Sequence, residues 1–338
     1  MTKKLQVGII GAGRIGKLHT ENILRFPDVE IKTIADPFIE SAREWGQSLG
    51  IQHLESDPMT IINDPEIDAV FICSPTDTHI NVIEAAAKAG KHIFCEKPIS
   101  FSDEATMNAY QIVKENNVKV QIGFNRRFDK NYARVKEYVA SKVIGDLHIL
   151  KITSRDPEPP SLDYVKRSGG IFMDMTIHDF DMARFVAGSE VTEVFVLGNA
   201  LVNPEIAKAD DIDTAIISLK FENGALGVID NSREAVYGYD QRIEAFGSKG
   251  AAESKNEIDT QVKLSTSKAI LEDQPLHFFL ERYNEAYIKE VADFFQSIIE
   301  NTPITCTFED GIMAQRIAQA AKESWQTGKP VSVKRIDA

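Results

Sequence analysis

Short apolar runs alternate with amphipathic segments over the first part of the chain. Leu5-Gln6-Val7-Gly8-Ile9-Ile10 is too brief for a helix and rich in β-branched residues. From Arg14 to Phe26 the apolar positions Ile15, Leu18, Ile23, Leu24 and Phe26 follow helical spacing. The pattern then repeats. Strands are predicted at 30–35, 52–54, 68–73, 92–95 and 118–123, with helices at 41–49, after Pro58, at 80–89 and at 102–116. Gly50 and Gly90 close two of the helices. Asp68 to Cys73 is almost continuously apolar, as a strand buried on both faces should be. Repeated β-α-β units imply a doubly wound parallel sheet, a Rossmann-type α/β domain over 1–124.

Beyond Phe124 the periodicity changes. A helix is predicted at 130–141, a strand at 147–154 and a proline-rich loop at 156–160. One helix runs from Gly169-Gly170 to about Val186. Strands at 191–201, 212–221, 225–232, 239–246 and 261–265 follow, with an Asn223-Gly224 hairpin turn between two of them. Helices at 276–300 and 309–327 end the chain. This second region, 125–338, is predicted to be an α+β domain with an open, mainly antiparallel sheet. Its last helix is a candidate for packing back on the first domain. An open sheet leaves one face to be covered, commonly by a copy of itself.

The turn between the first strand and helix, Gly11-Ala12-Gly13-Arg14-Ile15-Gly16, carries the dinucleotide fingerprint. Gly11 permits the sharp exit from the strand, Gly13 lets a pyrophosphate approach the backbone, and Gly16 lets helix pack on strand. Free amides at the helix start favour the anion. Asp36 ends the second strand, where an acid accepts from both ribose hydroxyls and repels a 2′-phosphate. The predicted cofactor is therefore NAD. Ligands of such sheets lie beyond the strands' carboxyl ends, which directs attention to loops 74–79 and 96–98. Ser74 and Glu96 are cofactor-contact candidates there. Thr76 and His79 either touch the nicotinamide ribose or cap the next helix.

Composition narrows the partners. The 338 residues carry a net charge of −13, which argues against a nucleic-acid surface and offers no polybasic membrane patch. No apolar run reaches transmembrane length, and Met1-Thr2-Lys3-Lys4 leads into the first strand without a signal-peptide pattern. Cys73, Cys95 and Cys306 are few, odd in number and far apart, which suits free thiols in a reducing cytoplasm.

Candidate chemistry centres on Met173-Asp174-Met175-Thr176-Ile177-His178-Asp179-Phe180-Asp181. In a continuous helix Asp174 and His178 are i and i+4 and share a face. Carboxylate plus imidazole makes a general base, although the same pair also serves as a structural salt bridge. Asp179 and Asp181 fall elsewhere on the wheel and read as capping, solvated or ion-paired residues. Lys97, in Glu96-Lys97-Pro98, sits at a strand's carboxyl end, where an ammonium can stabilise an alkoxide. Pro98 holds it toward extended backbone, with the peptide isomer left open. The seven histidines show no paired ligand spacing, so no metal is expected.

Together, the glycine turn, Glu96-Lys97-Pro98, and Gly169-Gly170 leading into Asp174-Met175-Thr176-Ile177-His178-Asp179 resemble the glucose–fructose oxidoreductase/inositol dehydrogenase family, and within it the bacterial inositol 2-dehydrogenases. Gly123-Phe124-Asn125-Arg126-Arg127-Phe128-Asp129 and Tyr237-Gly238-Tyr239-Asp240-Gln241-Arg242 are shared features too. The similarity spans essentially the whole chain. It implies NAD-dependent oxidation of an inositol ring hydroxyl to a ketone and a homotetramer formed through the C-terminal sheet. It also implies that Lys97, Asp174 and His178 surround the reacting carbon, with Arg127, Asp156 and Tyr237 lining the polyol site. Arg127 could equally pair with Asp129 or Asp156, and Tyr237 could be ordinary sheet packing. Many relatives carry asparagine or another residue where this chain has Arg155-Asp156, which leaves the epimer open. A related sugar or polyol enzyme is the near alternative. A silent NAD-binding regulator is the distant one, and the presence of both Lys97 and His178 speaks against it.

Overall fold

The computed structural model of the chain describes residues 4–336, so Met1-Thr2-Lys3 of the lead-in fall outside it. The strands are β1 Leu5–Ile10, β2 Val29–Ala35, β3 His53–Glu55, β4 Ala69–Ile72, β5 His92–Glu96, β6 Val120–Gly123, β7 Leu147–Arg155, β8 Val191–Asn199, β9 Thr214–Phe221, β10 Leu226–Ser232, β11 Asp240–Gly247, β12 Gly250–Ser254, β13 Leu264–Ser265, β14 Ile270–Leu271 and β15 Val331–Ser332. The α-helices are α1 Arg14–Ile23, α2 Arg43–Ser48, α3 Met59–Ile62, α4 Thr76–Lys88, α5 Asp103–Asn116, α6 Lys130–Ala140, α7 Leu162–Ser168, α8 Gly170–Asp174, α9 Ile177–Ala187, α10 Phe279–Arg282, α11 Asn284–Ile299 and α12 Phe308–Thr327. No helix among the described residues is long and apolar enough to cross a membrane.

The chain divides into two units. One runs to Asn125 and also takes in Glu285–Gln315; the other holds Arg126–Asn284 and the chain from Arg316 onward. A single cut near residue 124 therefore does not describe the division, because α11 and the first turns of α12 belong with the N-terminal sheet.

That sheet is parallel throughout, in the order β3-β2-β1-β4-β5-β6. Strand order reverses between β1 and β4, the switch point where ligands of doubly wound sheets bind. All four residues of β4 are buried. Phe71 and Phe94, on adjacent strands, stack with centroids 4.7 Å apart. Helix α11 supplies the cover. Tyr287, Val291, Phe294 and Phe295 recur at helical spacing and are buried. Phe294 meets Phe71 and Phe94 at 5.6 and 5.9 Å between centroids.

The second unit is built on a seven-stranded sheet, β12-β11-β7-β10-β9-β8-β15. Its pairs are antiparallel except β7 with β10, which run parallel, so the sheet is mixed rather than purely antiparallel. Alternation is clean: in β9, Ala215, Ile217, Leu219 and Phe221 are buried and the residues between them are not. Helices α6 and α9 pack on the sheet.

Three further expectations differ from what is observed. The long helix at 276–300 is interrupted at Tyr283, which leaves helical backbone (φ −114°, ψ 16°). There the Tyr283 hydroxyl lies 3.2 Å from that of Tyr132, and Arg282 donates to Asp129 at 2.6 Å, so tertiary bonds override local propensity. The strand expected at 261–265 shrinks to Leu264–Ser265. The unexpected β12, Gly-Ala-Ala-Glu-Ser, lacks β-branched residues and forms by pairing back on β11.

Removing the Phe294 ring tests whether α11 completes the first core. Phe294→Ala should lower stability toward urea by about 3–5 kcal/mol, the cost of a large ring deleted from a packed interior. An unchanged unfolding midpoint would dissociate α11 from that core.

Candidate active site

In the N-terminal unit the fingerprint turn adopts the geometry that its glycines permit. Gly11 has φ +101°, and a Cβ there would lie 2.6 Å from the Cys73 carbonyl carbon. A Cβ at Gly16 would come within 1.9 Å of the Gly11 carbonyl oxygen. Beside Gly13, by contrast, a Cβ would meet nothing within 4 Å, so the space over the turn is open. No side chain caps the start of α1 and no acid lies in its first turn, which leaves its amides and dipole facing that space. Ala12 is buried, while Arg14 is exposed and Ile15 half-buried.

Asp36 follows β2 directly. One carboxylate oxygen accepts from the Ala12 amide at 2.7 Å, and the other accepts from the Phe38 amide at 2.8 Å. The acid thus ties the fingerprint turn to the β2 loop. Each oxygen keeps a further lone pair for a ribose hydroxyl. Open space at Gly13, uncapped amides and a strand-end acid are a donor and acceptor set that fits a dinucleotide.

The loop after β4 is closed on itself. The Ser74 hydroxyl lies 2.6 Å from that of Thr78, and half-buried Thr76 begins α4. His79 is 1% exposed, with Nε2 2.8 Å from the Ser74 carbonyl oxygen and Nδ1 2.9 Å from that of Pro98. Burial pushes its pKa down, and the two carbonyls oppose that shift. Both ring nitrogens face carbonyls inside the protein, so His79 braces two loops rather than reaching toward a ribose.

Lys97 is half-buried, just beyond β5, and its peptide with Pro98 is cis. Its neighbours on both sides are anchored. His79 reaches the Pro98 carbonyl, and Glu96 Oε1 lies 2.8 Å from Nε2 of the buried His19. Glu96, expected beside the cofactor, therefore commits one oxygen to the core. His19 was not visible as a site residue in the sequence. On α1 it is buried together with Gly16, Thr20, Asn22 and Ile23, a mixed face that carries no apolar pattern to mark it.

In the second unit the Asp174–His178 segment is not one helix. Glycines with φ +84° and +79°, Gly169 and Gly170, end α7 and open α8, and a Cβ on Gly170 would strike the Asp211 carboxylate at 2.7 Å. Helix α8 stops at Asp174 and α9 starts at Ile177. Across the break, the Thr176 amide bonds back to Ile171, and that of His178 reaches only to Met175. The i, i+4 geometry of an uninterrupted helix is thus replaced by a two-residue joint. The cause lies in the core: Thr176 donates to Asn231 at 2.6 Å.

Asp174 and His178 are both half-buried. The Asp174 carboxylate receives the Tyr164 hydroxyl on Oδ1 at 2.8 Å and Arg233 Nη1 on Oδ2 at 3.1 Å. Neither Tyr164 nor Arg233 was singled out by sequence. Asp156 belongs to the same group of charges. Burial pushes its pKa up to about 6, with Asp174 and Asp179 adding to the rise and Arg233 and Arg126 opposing it.

The remaining expectations resolve into internal pairs. Arg127 bonds Asp181 through two nitrogens, at 2.8 and 2.6 Å, and is buried. It meets neither Asp129 nor Asp156 in that bond, and its guanidinium is engaged within the unit. Asp179 accepts from Arg126 at 2.6 Å and from Asn231 at 2.9 Å. Burial raises the Asp179 pKa, and Arg126 counters the rise. Tyr237 donates to Asp240 at 2.7 Å and accepts from Arg155 at 3.0 Å, while Arg155 also forks onto Asp230. Its hydroxyl is therefore engaged within the unit, although the residue is 38% exposed.

Comparison with known proteins agrees with this construction. Residues 5–124 match the oxidoreductase family with an NAD-binding Rossmann fold, GFO/IDH/MocA, and residues 132–253 match the GFO/IDH/MocA C-terminal domain. The chain is 53% identical to an uncharacterized oxidoreductase, YrbE, of Bacillus subtilis, over 100% of this chain and 99% of that one. It is 47% identical to the myo-inositol 2-dehydrogenase of Thermotoga maritima, over 98% and 99%. Scyllo-inositol dehydrogenase from Lactobacillus casei, solved with NAD(H) and scyllo-inositol bound, superposes with a TM-score of 0.91 at 32% identity, over 98% and 99%. A fingerprint turn that leaves room for a pyrophosphate, an acid closing β2, and relatives aligned end to end make this chain a member of the GFO/IDH/MocA family of NAD-dependent oxidoreductases.

Proposed function

We propose that this chain oxidises a ring hydroxyl of an inositol to the ketone, as an inositol 2-dehydrogenase. The observation that carries this reading is end-to-end likeness to the Thermotoga myo-inositol 2-dehydrogenase, supported by Lys97, Asp174 and His178, each half-buried. The scyllo-inositol dehydrogenase likeness makes the scyllo epimer the second candidate substrate.

The assigned roles are Lys97, Asp174 and His178 as the catalytic group. His178 takes the hydroxyl proton as the C–O bond gains double-bond character. Asp174 stabilises the resulting imidazolium. Lys97 donates a hydrogen bond to the same oxygen and lowers the cost of its developing negative charge. NAD, when bound, supplies the acceptor for the hydride that leaves carbon. Gly11, Gly13, Gly16 and Asp36 hold its pyrophosphate and adenosine ribose. The buried, free thiols Cys95 and Cys306 suit a reducing cytoplasm.

The assembly we propose is a homotetramer formed through the outward face of the C-terminal sheet. That face presents Ile149, Ile216, Leu226 and Phe246 at 44–53% exposure, a row of apolar side chains that suits burial against a second copy.

Reaction rate, cofactor choice and mass test these assignments. With myo-inositol, scyllo-inositol and glucose compared in parallel, Lys97→Ala and His178→Ala should each reduce kcat by about 10²–10⁴-fold. NAD should still quench protein fluorescence in both. Full turnover by either variant would remove that residue from the mechanism. Asp36→Ala should raise the KM for NAD and narrow the gap to NADP, and identical discrimination would refute the ribose contact. Light scattering should give four times the subunit mass, falling on Ile216→Glu; a monomeric native protein would overturn the assembly.

A further inference from the structure

Buried arginines elsewhere in the second unit are well bonded. Arg126 donates to Asp179, Ser154 and Tyr239, and Arg127 forks onto the Asp181 carboxylate. Arg282 leaves two nitrogens without hydrogen bonds but lies against the ring faces of Tyr132 and Tyr283. Arg233 is different. Its side chain is 2% exposed, and its Nε and Nη2 find no hydrogen-bond partner among the described residues. Its single side-chain hydrogen bond goes to Asp174 Oδ2 at 3.1 Å, and its own amide is pinned to the Asp213 carbonyl at 2.8 Å. A guanidinium kept out of water for packing alone would be expensive. The charges around it are Asp156, Asp174 and Asp211, three carboxylates from three separate segments.

The opposite oxygen of Asp174 is held by a second element. Tyr164, on α7, donates its hydroxyl to Oδ1 at 2.8 Å and is itself 47% exposed. Two donors on two different oxygens fix the rotation of a carboxylate, which one donor cannot do.

We propose that Arg233 and Tyr164 are positioning residues that clamp Asp174, Arg233 bonding one oxygen from the core and Tyr164 fixing its plane from α7. This rests on the catalytic role assigned to Asp174 above. Without the guanidinium, Asp156 and Asp174 would face each other as like charges, with Asp179 and Arg126 the next charges around Asp156. Asp156, already pushed up by burial and held back by Arg233, would then keep its proton to higher pH beside Asp174. The acid limb of kcat/KM should move upward, a change that looser packing would not cause.

The experiment compares Tyr164→Phe, Arg233→Lys, Arg233→Met and Asp174→Asn, alone and with Asp174→Asn combined with each of the others. Each is assayed for NADH formation with inositol across the acid limb. Tyr164→Phe should lower kcat about tenfold at nearly constant KM. Arg233→Met should lower it about a hundredfold and raise the acid limb by about one pH unit, with Arg233→Lys restoring the limb. In the Asp174→Asn background neither change should cost more. Wild-type kcat in Tyr164→Phe, an unmoved limb in Arg233→Met, or losses that multiply with Asp174→Asn would overturn the clamp. Full activity of Asp174→Asn alone would instead remove the catalytic assignment on which the clamp stands. If Arg233→Met does not fold, half-exposed Tyr164 and the charge-conserving Arg233→Lys decide the question by the same readings.

Discussion

Taking a charge out of water costs several kcal/mol, recovered only by a well-placed partner. The second unit does this twice on one helix. Asp179 and Asp181 of α9 are fully buried, and adjacent arginines, Arg126 and Arg127, bond them at 2.6 Å each. Two residues apart on a helix, the aspartates lie about 200° apart around its axis. The helix is therefore gripped from nearly opposite sides and cannot roll without breaking a buried ion pair. His178 is the residue before Asp179. Its placement is inherited from that grip, and so is that of the joint at Met175-Thr176, which Asn231 ties through Thr176 to the same Asp179.

Much of this was legible in the chain. The parallel sheet was readable because both-face burial writes continuous apolar runs, and the fingerprint turn because glycine positions are set by backbone geometry. Ion pairing was one of three readings open for Asp179 and Asp181, beside capping and solvation, and their partners were not legible. The break between α8 and α9 was hidden, because every residue from Met173 to Asp181 tolerates helix and the cause sits on β10, more than fifty positions away. Arg233 and Tyr164 escaped for the same reason: neither belongs to a local pattern, and each acts through one distant carboxylate. The carboxylate partner of Arg127 and the His19 contact of Glu96 were not legible, because long charged side chains carry no sequence mark of which way they point.

Within the first unit, two buried histidines do the holding. His19 and His79 are both buried, and each secures a neighbour of Lys97 rather than contributing chemistry of its own. The lysine is therefore the middle of a three-residue stretch fixed on either flank. A flexible ammonium becomes a directed one when its backbone is held in this way, which is the advantage of building a site on braced loops beyond a rigid sheet. In the other unit a phenol and a guanidinium, Tyr164 and Arg233, hold Asp174 in the same way.

The passage of α11 back to the first sheet also bears on how the protein is made. Ribosomes deliver the chain from its N-terminus, so all six parallel strands emerge before Val291, Phe294 and Phe295 exist. Until then Phe71 and Phe94 lack their lid, and the nascent sheet carries exposed apolar surface through the synthesis of some 160 intervening residues. The first unit to be translated is thus among the last to be finished, and chaperone demand should fall on that interval of translation.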